Sequence, residues 1–292
     1  MKGSMIEYYF FKDILRSLDQ SLKKDFILND SNIFNMATFL NIGYYYRYDS
    51  LKKDNIDFSK KIENDKNFND FIIECIIDVN LHYNPNKLML IYGMLSSHIL
   101  KSYLMPFLEL KVNNNQNIDD LLGMLDFIYT QKYDSLDLTK IKLDKIFSMA
   151  FNYNDYMYEL IKYPIIKIFK CFISNNYLIK CYKKKKKYYK FYNNSFKSLK
   201  MIFLSVKNIR IKNKRNNLNS YFYTNKIDTT LLKKDKQKIL INNIEYNLSL
   251  DDIINKAKAD TIYSINAINE YVVLNKDKNI RKIFNINNDK KL

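Results

Sequence analysis

The sequence predicts a mainly helical protein with one domain. Of its 292 residues 47% are apolar, which is sufficient for a substantial core. Only four Gly and three Pro are present, whereas the tight turns of an all-β sandwich need both residue types. Several long segments repeat apolar side chains at spacings of three and four residues, which is typical of helices. We therefore predict an all-α fold that forms one helical-bundle domain over residues 1–292.

The clearest helical segment runs from Asn84 to Lys111. Pro85 stands where a helix commonly begins, and Pro106 stands where a helix is expected to end or kink. Between the two prolines, apolar residues at helical spacing indicate a buried or nearly buried helix: Leu88, Ile91, Tyr92, Leu95, Ile99 and Tyr103. A second face carries residues at strict intervals of four, which therefore lie along one side of the helix: Gly93, Ser97, Lys101 and Met105.

The same periodicity predicts helices on both sides of this segment. They are expected at 6–26, 34–42, 68–82, 118–133, 138–149, 153–173 and about 250–274. Asp30 or Ser31 is expected to cap the helix at 34–42. Ser249 and Asp252 have the spacing of a capping box at the start of the last helix.

Three features qualify this helical pattern. Pro164 is expected to kink the helix that contains it. The stretch 218–244 is expected to form a hairpin or a loop. The polar tail 275–292 is expected to fray.

The net charge is concentrated in one segment, 180–215. It contains fourteen Lys or Arg and no Asp or Glu, so it carries +14 of the formal net charge of +17. We predict that its basic side chains bind an anionic partner: Lys183, Lys184, Lys185, Lys186, Lys187, Lys190, Arg210, Lys212, Lys214 and Arg215. Tyrosines interleave with these cations and are candidates for stacking: Tyr182, Tyr188, Tyr189 and Tyr192.

Three interpretations of this basic segment stay open. Clustered Lys with aromatic residues suits the phosphate backbone and bases of a nucleic acid. It also suits an anionic membrane surface, where Lys stems lie on apolar material and aromatic rings sit at the interface. The third interpretation is a solvated face, because the abundance of Asn, Lys, Ile and Tyr indicates an AT-rich genome rather than a functional signal.

The helix around Ser97 resembles the metal-binding helix of the bacterial zinc-dependent phospholipase C family, which shares a fold with the P1-type nucleases. That helix reads roughly Y-G-x-L-x-H-x-x-x-D-x-x-x-H-P-[YF], and its His, Asp and His point at one zinc cluster. This sequence keeps the frame of the motif: Tyr92, Gly93, Leu95, Leu100, Ser102, Pro106 and Phe107. The resemblance implies that the chain forms the helical bundle of this family.

At the three ligand positions implied by the resemblance, the sequence has Ser97, Lys101 and Met105. Ser is a poor ligand for a divalent cation, Met is soft and suits copper(I), and a Lys ammonium group repels a metal ion. A shorter match places Gly43 at the start of a Gly-Pro-Asp segment of the family, with Tyr45 where the family has a metal-binding Asp. We therefore expect a retained scaffold with no metal site, no cofactor and no catalytic residues.

Other catalytic and metal-binding patterns are absent from the sequence. The family has a His-x-x-x-Glu pair before an acidic residue; with Asp126 aligned to that acid, Ile118 and Leu122 occupy the His and Glu positions. The only two histidines are His82 and His98, and no HExxH, CxxC or GxSxG motif occurs. We expect His98 to be a packed residue at the edge of the core rather than a ligand or a base.

Cysteine content and apolar runs suggest a cellular compartment. Three cysteines are too few and too scattered for a disulfide framework. The N-terminal sequence MKGSMIEYYFF lacks the apolar core of a secretory signal. The sequence also contains no run of about eighteen uncharged apolar residues, the length that is needed to span a membrane. We expect a cytoplasmic protein; a leader that has been removed from the sequence is the alternative.

Three functions are compatible with these observations. The first is a phospholipase C-like pseudoenzyme that binds lipid head groups or phosphates without hydrolysing them. The second is a nucleic-acid-binding accessory protein of a phage or mobile element, whose affinity comes from 180–215. The third is an active phosphodiester hydrolase whose metal ligands are misaligned in the comparison above.

Overall fold

Helices make up most of the described chain, so the all-α prediction is confirmed. The computed structural model describes residues 3–24, 26, 29–48, 59, 62, 65–112, 118–134, 155–192, 236–241, 244–274 and 280–281, without the side chains of 21, 23, 44–48, 65–66, 134 and 187–192. The helices are α1 (Ser4–Ser17), α2 (Gln20–Lys23), α3 (Asp30–Ala37), a 3-10 helix (Phe39–Tyr48), α4 (Asp65–Leu81), α5 (Pro85–Lys111), α6 (Ile118–Asp134), α7 (Asp155–Phe169), α8 (Asn175–Tyr192) and α9 (Leu250–Val272). The sheet in these ranges is an antiparallel hairpin of β1 (Gln237–Ile241) and β2 (Ile244–Leu248).

α5 is the central helix of the bundle. It contacts α1, α3, α4, α6, α7, α9, β1 and the 3-10 helix. Every residue from 87 to 97 is buried, so this part of α5 is surrounded on all sides. The helix begins at Pro85, and the Asn84 side chain caps it by accepting hydrogen bonds from the backbone N–H groups of Asn86 and Lys87 at 2.9 and 3.2 Å.

α5 does not end at Pro106 but continues to Lys111. A proline inside a helix removes one backbone hydrogen bond and crowds the preceding turn, at a cost of about 3 kcal/mol. Phe107 and Leu108, directly after the proline, are almost completely buried. Burial of two such side chains contributes about 1.5–3 kcal/mol each, which offsets the cost. α7 likewise continues through Pro164.

Gly93 sets the distance between α3 and α5. A Cβ atom at position 93 would lie 2.5 Å from the carbonyl carbon of Met36, closer than any real contact. Only glycine therefore permits this packing. The close approach brings the end of α3, with Thr38, alongside the next turns of α5.

α1 begins on a buried carboxylate of α6. Asp126 is fully buried and accepts hydrogen bonds from the N–H groups of Gly3, Met5 and Ile6 at 2.7, 2.9 and 2.9 Å. The unpaired N–H groups at a helix N-terminus favour a negative charge there. Asp126 therefore anchors α1 to α6, and it fixes the position of Glu7 one turn further along.

Several predicted boundaries shift in the structure. The predicted helix at 6–26 is divided into α1 and α2, and α3 begins earlier than expected because Asn29, rather than Asp30 or Ser31, caps it by accepting from the N–H of Asn32. The capping box of Ser249 and Asp252 is confirmed at the start of α9. The helix predicted at 138–149 lies outside the described residues.

The hairpin prediction is partly confirmed, because β1 falls within 218–244 while β2 begins at its end. The tail prediction is wrong for two residues of 275–292: Ile280 is buried, and Arg281 donates to the carboxylate of Glu74 at 3.0 Å. The rest of the tail lies outside the described residues. None of the described helices is long and apolar enough to cross a membrane.

Candidate functional site

Lys101 lies where the resemblance implies an Asp ligand, and it binds a buried carboxylate. Its Nζ lies 3.2 Å from Oε1 of Glu7 and donates to Oδ1 of Asn41 at 2.7 Å. Nδ2 of Asn41 donates in turn to Oε2 of Glu7 at 2.7 Å. The three side chains therefore form a closed ring that joins α5, the 3-10 helix and α1. Glu7 and Asn41 are each only 4% exposed.

A second ammonium group enters the same region from α8. Lys185 is fully buried, and its Nζ donates to Oγ1 of Thr38 at 2.7 Å. The Thr38 hydroxyl donates to the carbonyl oxygen of Phe34 at 2.8 Å, and Nζ also lies 4.9 Å from the centre of the Phe34 ring. Burial lowers the pKa of Lys185 to about 7, although the negative charge of Glu7 partly opposes this shift.

These groups make a cluster around the buried carboxylate of Glu7, which we call the buried charge cluster; four of its members are buried, and the side chain of Lys101 is 27% exposed. Its members are Glu7, Thr38, Asn41, Lys101 and Lys185. They come from α1, the junction of α3 and the 3-10 helix, α5 and α8. A buried charge is tolerated when it is paired and hydrogen-bonded: Glu7 pairs with Lys101, and its negative charge also acts on Lys185.

The ligand positions implied by the resemblance do not fit a zinc ion. Lys101 brings a positive charge to the middle of the set. Ser97 is buried, and its hydroxyl has no hydrogen-bond partner among the described residues. Met105 is partly buried and packs against the apolar core. Tyr45 lies in the 3-10 helix, and its side chain is outside the described part. Within the described ranges no three His, Cys, Asp or Glu side chains are grouped to hold a metal ion.

His98 has a packing role, as the sequence suggested. Its ring stacks on the Phe68 ring with centroids 3.6 Å apart and an angle of 10° between the planes. Burial, with a smaller contribution from the charge of Lys101, lowers the pKa of His98 to about 3. His98 is therefore neutral at pH 7 and is a weak proton acceptor. The hydroxyl of its neighbour Ser97 has no hydrogen-bond partner in the described structure, so Ser97 and His98 do not form a catalytic dyad there.

The structure divides the predicted basic segment between the interior and the surface. Lys183 and Lys186 are exposed and Lys184 is partly buried, but Lys185 and Tyr182 are buried. The Tyr182 hydroxyl lies 3.1 Å from Sδ of Met157. The predictions that Lys185 binds an external anion and that Tyr182 stacks on a partner are therefore wrong, because both side chains face the core.

The other predicted binding residues are only partly covered by the structure. Four lie outside the described residues: Arg210, Lys212, Lys214 and Arg215. Five lie in α8 with side chains that are not described: Lys187, Tyr188, Tyr189, Lys190 and Tyr192.

The sequence contains a signal for the burial of Lys185. In the part of α8 whose side chains are described, the buried residues repeat at spacings of three, one and three: Leu178, Cys181, Tyr182 and Lys185. Lys185 thus occupies the next position of an apolar helical stripe. Glu7 gives a similar signal, since it is the only charge in the apolar run from Met5 to Phe11. The sequence around Thr38 and Asn41 contains no comparable pattern that would indicate their place in the buried charge cluster.

No family model, curated protein or solved structure matches this chain. What the structure itself defines is a helical protein, organised around α5, with a buried charge cluster beside the central helix. The similarity to the zinc-dependent phospholipases C therefore rests on the sequence motif alone.

Proposed function

We propose that the protein is a non-catalytic, phospholipase C-like binding protein whose partners carry phosphate groups, with lipid head groups as the first candidate. The observation that supports this is the contact between Lys101 and Glu7 at 3.2 Å. An ammonium group bonded to a buried carboxylate stands where the resemblance implies a metal ligand. In this proposal the family scaffold is retained and the metal centre is replaced.

In this proposal the buried charge cluster has the structural role that a metal centre has in other proteins. A metal ion holds several elements together by binding their side chains. Here Lys101 links α5 to α1 and the 3-10 helix, and Lys185 links α8 to Thr38 at the end of α3. The cluster does not have the catalytic role of a metal centre. An ammonium group has no vacant coordination position, so it neither activates a water molecule nor polarises a phosphoryl oxygen as a Lewis acid does.

The exposed face of α8 is the proposed anion-binding surface. Lys180, Lys183 and Lys186 are exposed and follow at intervals of three, so they cover roughly a third of the helix circumference. The helix contains no Asp or Glu. A field of one sign attracts polyanions and bilayers with anionic lipids. The burial of Tyr182 weakens the case for base stacking on a nucleic acid.

The binding surface is tested with a charge variant and a matched control. Changing Lys180, Lys183 and Lys186 to Gln should weaken binding to vesicles of equal parts phosphatidylserine and phosphatidylcholine roughly a hundredfold, because each Lys near such a surface contributes about 1 kcal/mol. The control changes three exposed lysines elsewhere in the chain, Lys24, Lys132 and Lys236, to Gln and should bind like the wild type. Equal binding by all three proteins would contradict the assignment of α8.

Two further measurements address the alternatives. Elemental analysis of the purified chain should show no stoichiometric zinc, and neither phosphatidylcholine nor a chromogenic phosphodiester should be hydrolysed. Two or three zinc ions with hydrolysis would identify an active phosphodiesterase. Tighter binding to single-stranded DNA or RNA than to the anionic vesicles, with a steep salt dependence, would instead identify a nucleic-acid-binding protein.

A further inference from the structure

The hairpin leaves backbone groups unpaired along the outer side of β2. The register pairs Ile241 with Ile244 across two intervening residues, and a chain that reverses over two residues hydrogen-bonds the flanking pair. Bonded and non-bonded pairs alternate along an antiparallel ladder, so Glu245 and Asn247 direct their N–H and C=O groups away from β1. In the described part of the chain no other backbone group bonds to them. We call this outer side of β2 (Ile244–Leu248) the β2 edge.

β2 is the more exposed strand of the hairpin. In β1, Ile239 and Ile241 are almost completely buried, and this strand contacts α5. No residue of β2 is buried, and Ile244 is 41% exposed. An exposed strand edge binds a further strand through main-chain hydrogen bonds. The β2 edge is therefore a candidate interaction surface.

The charge of the β2 edge is balanced within the hairpin. Glu245 is the only charged residue of β2, and its Oε1 lies 3.1 Å from Nζ of Lys238. A balanced edge does not select a strongly charged partner, and it does not repel a second copy of itself. β2 also contains no Pro and no bulge, two features by which proteins prevent edge pairing.

We propose that the β2 edge pairs with the β2 edge of a second copy of this chain. The product is a two-fold dimer with a four-stranded antiparallel sheet, in which both copies contribute the same surface. The inference goes beyond the proposed function, because α8 takes no part in it and its tests do not involve an anionic partner.

The outward backbone groups allow three registers for this pairing. Hydrogen-bonded pairs must join Glu245 or Asn247 of one copy to one of these two residues of the other. Glu245 opposite itself aligns only 244–246 and opposes two like charges, which is unfavourable. Asn247 opposite itself aligns only 246–248. Glu245 opposite Asn247 aligns all five residues of both strands, so this register is the one we propose.

In this register β2 is complementary to itself. Tyr246 faces Tyr246 of the second copy at a non-hydrogen-bonded position, where side chains approach most closely. Ile244 faces Leu248, so its exposed side chain gains an apolar neighbour. On the opposite face of the sheet the amide of Asn247 is a donor for the carboxylate of Glu245. No pair opposes like charges or leaves an apolar side chain opposite a charge.

The contact is short, so the dimer should be weak. Five residues span about 17 Å, and an edge of this length buries less surface than a standard protein–protein interface. Sedimentation velocity at micromolar to millimolar concentrations should show a monomer that converts to a dimer. A monomer throughout this range would overturn the inference. Growth beyond two chains would also overturn it, because head-to-tail pairing of β1 with β2 gives open filaments.

Proline substitutions locate the edge. The N–H of Asn247 points outward, so Asn247→Pro keeps the ladder with β1 but removes a donor from the β2 edge, and the variant should stay monomeric. Lys238→Pro is the matched control, because Lys238 lies directly opposite Asn247 and its N–H points to the outer side of β1. This control should dimerise like the wild type. A dimer of Asn247→Pro would overturn the inference, and loss of the dimer in both variants leaves the decision to the next test.

Charge substitutions at position 247 test the register independently of folding. In the dimer this position faces Glu245 of the second copy, whereas within one chain it faces Lys238. Asn247→Lys should therefore lower the dimer dissociation constant while slightly destabilising the chain, and Asn247→Glu should do the reverse. The two dissociation constants should differ roughly tenfold, because the pair occurs twice in the dimer. Equal dissociation constants would overturn the proposed register.

Disulfide crosslinking tests the position of the two-fold axis. The Cα atoms of a non-hydrogen-bonded pair lie about 4.5 Å apart, within the range of a disulfide. Tyr246→Cys, with Cys171 changed to Ser, should therefore form a covalent dimer in oxidised glutathione; Cys75 and Cys181 are buried. The control, Leu240→Cys in the same background, lies at a site that is 59% exposed on β1 and should stay monomeric. Equal crosslinking of the two variants would indicate random collision and overturn the inference.

Discussion

Lys185 and Lys186 are neighbours in the chain, yet they belong to two different regions of the molecule. Lys185 is fully buried in the charge cluster with Thr38 and Glu7, whereas Lys186 lies on the exposed face of α8. Consecutive residues on a helix point about 100° apart, so one faces the core when the other faces solvent. In a Lys-rich chain the helix face, rather than the density of Lys, therefore decides what each Lys does.

The two regions respond differently to the same kind of change. Removal of one partner from a buried ion pair leaves a charge without its counter-charge in the interior, which costs several kcal/mol. Removal of one exposed lysine changes the electrostatic field around the protein but leaves its folding free energy almost unchanged. The following predictions use this contrast, from the largest expected effect to the smallest.

Introducing the ligand set that the resemblance implies should destabilise the protein rather than activate it. In the triple variant Ser97→His, Lys101→Asp and Met105→His, a carboxylate at position 101 would face Glu7, whose counter-charge is lost. We expect a loss of more than about 3–5 kcal/mol of unfolding free energy, measured with urea in the presence and absence of zinc. A stable, zinc-binding variant that hydrolyses a phosphodiester would contradict this expectation and show that the surrounding residues can complete a metal site.

Neutralising Glu7 should be the most damaging single change in the buried charge cluster. Glu7→Gln removes the carboxylate that pairs with Lys101 and whose charge also acts on Lys185, and we expect a loss of about 3 kcal/mol in urea unfolding. The control is Asp13→Asn in the same helix, where the partly exposed Asp13 binds Lys258 at 2.7 Å. Asp13→Asn should cost less than about 1 kcal/mol of unfolding free energy. Equal losses for the two variants would contradict the expectation that the buried ion pair contributes more to stability than the partly exposed one.

Lys185→Met should change how stability depends on pH. Because the pKa of Lys185 is lowered to about 7 in the folded state, the unfolded chain binds more protons than the folded chain between about pH 7 and its ordinary value of 10.5. The stability of the wild type therefore gains up to about 1.4 kcal/mol per pH unit from this residue as the pH rises through that range. The Met variant lacks this gain, so its stability relative to wild type should be highest at pH 7 and should decline by pH 9.

The neighbouring lysine supplies the control for this measurement. Lys186→Met alters an exposed site, so the difference in unfolding free energy from the wild type should be the same at pH 7 and pH 9. Because tyrosines and cysteines titrate alike in all three proteins, their contributions cancel in the comparison. If Lys185→Met also shows a difference that is independent of pH, Lys185 is not titrating in this range.

The smallest expected effect concerns the hydroxyl of Ser97. It is buried without a hydrogen-bond partner in the described structure, so Ser97→Ala should leave the free energy of unfolding unchanged or raise it by up to about 1 kcal/mol. Its neighbour Ser96 donates to the carbonyl oxygen of Tyr92 at 2.7 Å, and Ser96→Ala should lower the free energy of unfolding slightly. A clear loss of stability in Ser97→Ala would show that this hydroxyl has a partner.

Local sequence signals determined the starts of α5 and α9. The cap at Asn84, the proline after it and the capping box at Ser249 act within one turn, so they can be identified from neighbouring residues alone. The apolar periodicity of α5 likewise identified the central helix, because a helix surrounded by others must be apolar on most of its surface.

Long-range contacts decided what the sequence left open. The continuation of α5 through Pro106 depends on the burial of Phe107 and Leu108. The role of Asp126 depends on the start of α1, about 120 residues earlier. Neither partner is visible from the residues near Pro106 or Asp126.

The candidate site shows the same division. The sequence alone established that Ser97, Lys101 and Met105 share one face of α5 and that these side chains are unsuited to bind zinc. Only the tertiary structure decided that Lys101 pairs with Glu7 and that Lys185 bonds to Thr38, which is 147 residues away in the chain. Helical spacing fixes the direction of a side chain on its own helix, but its partner is fixed by how separate helices pack, and that depends on the whole core at once.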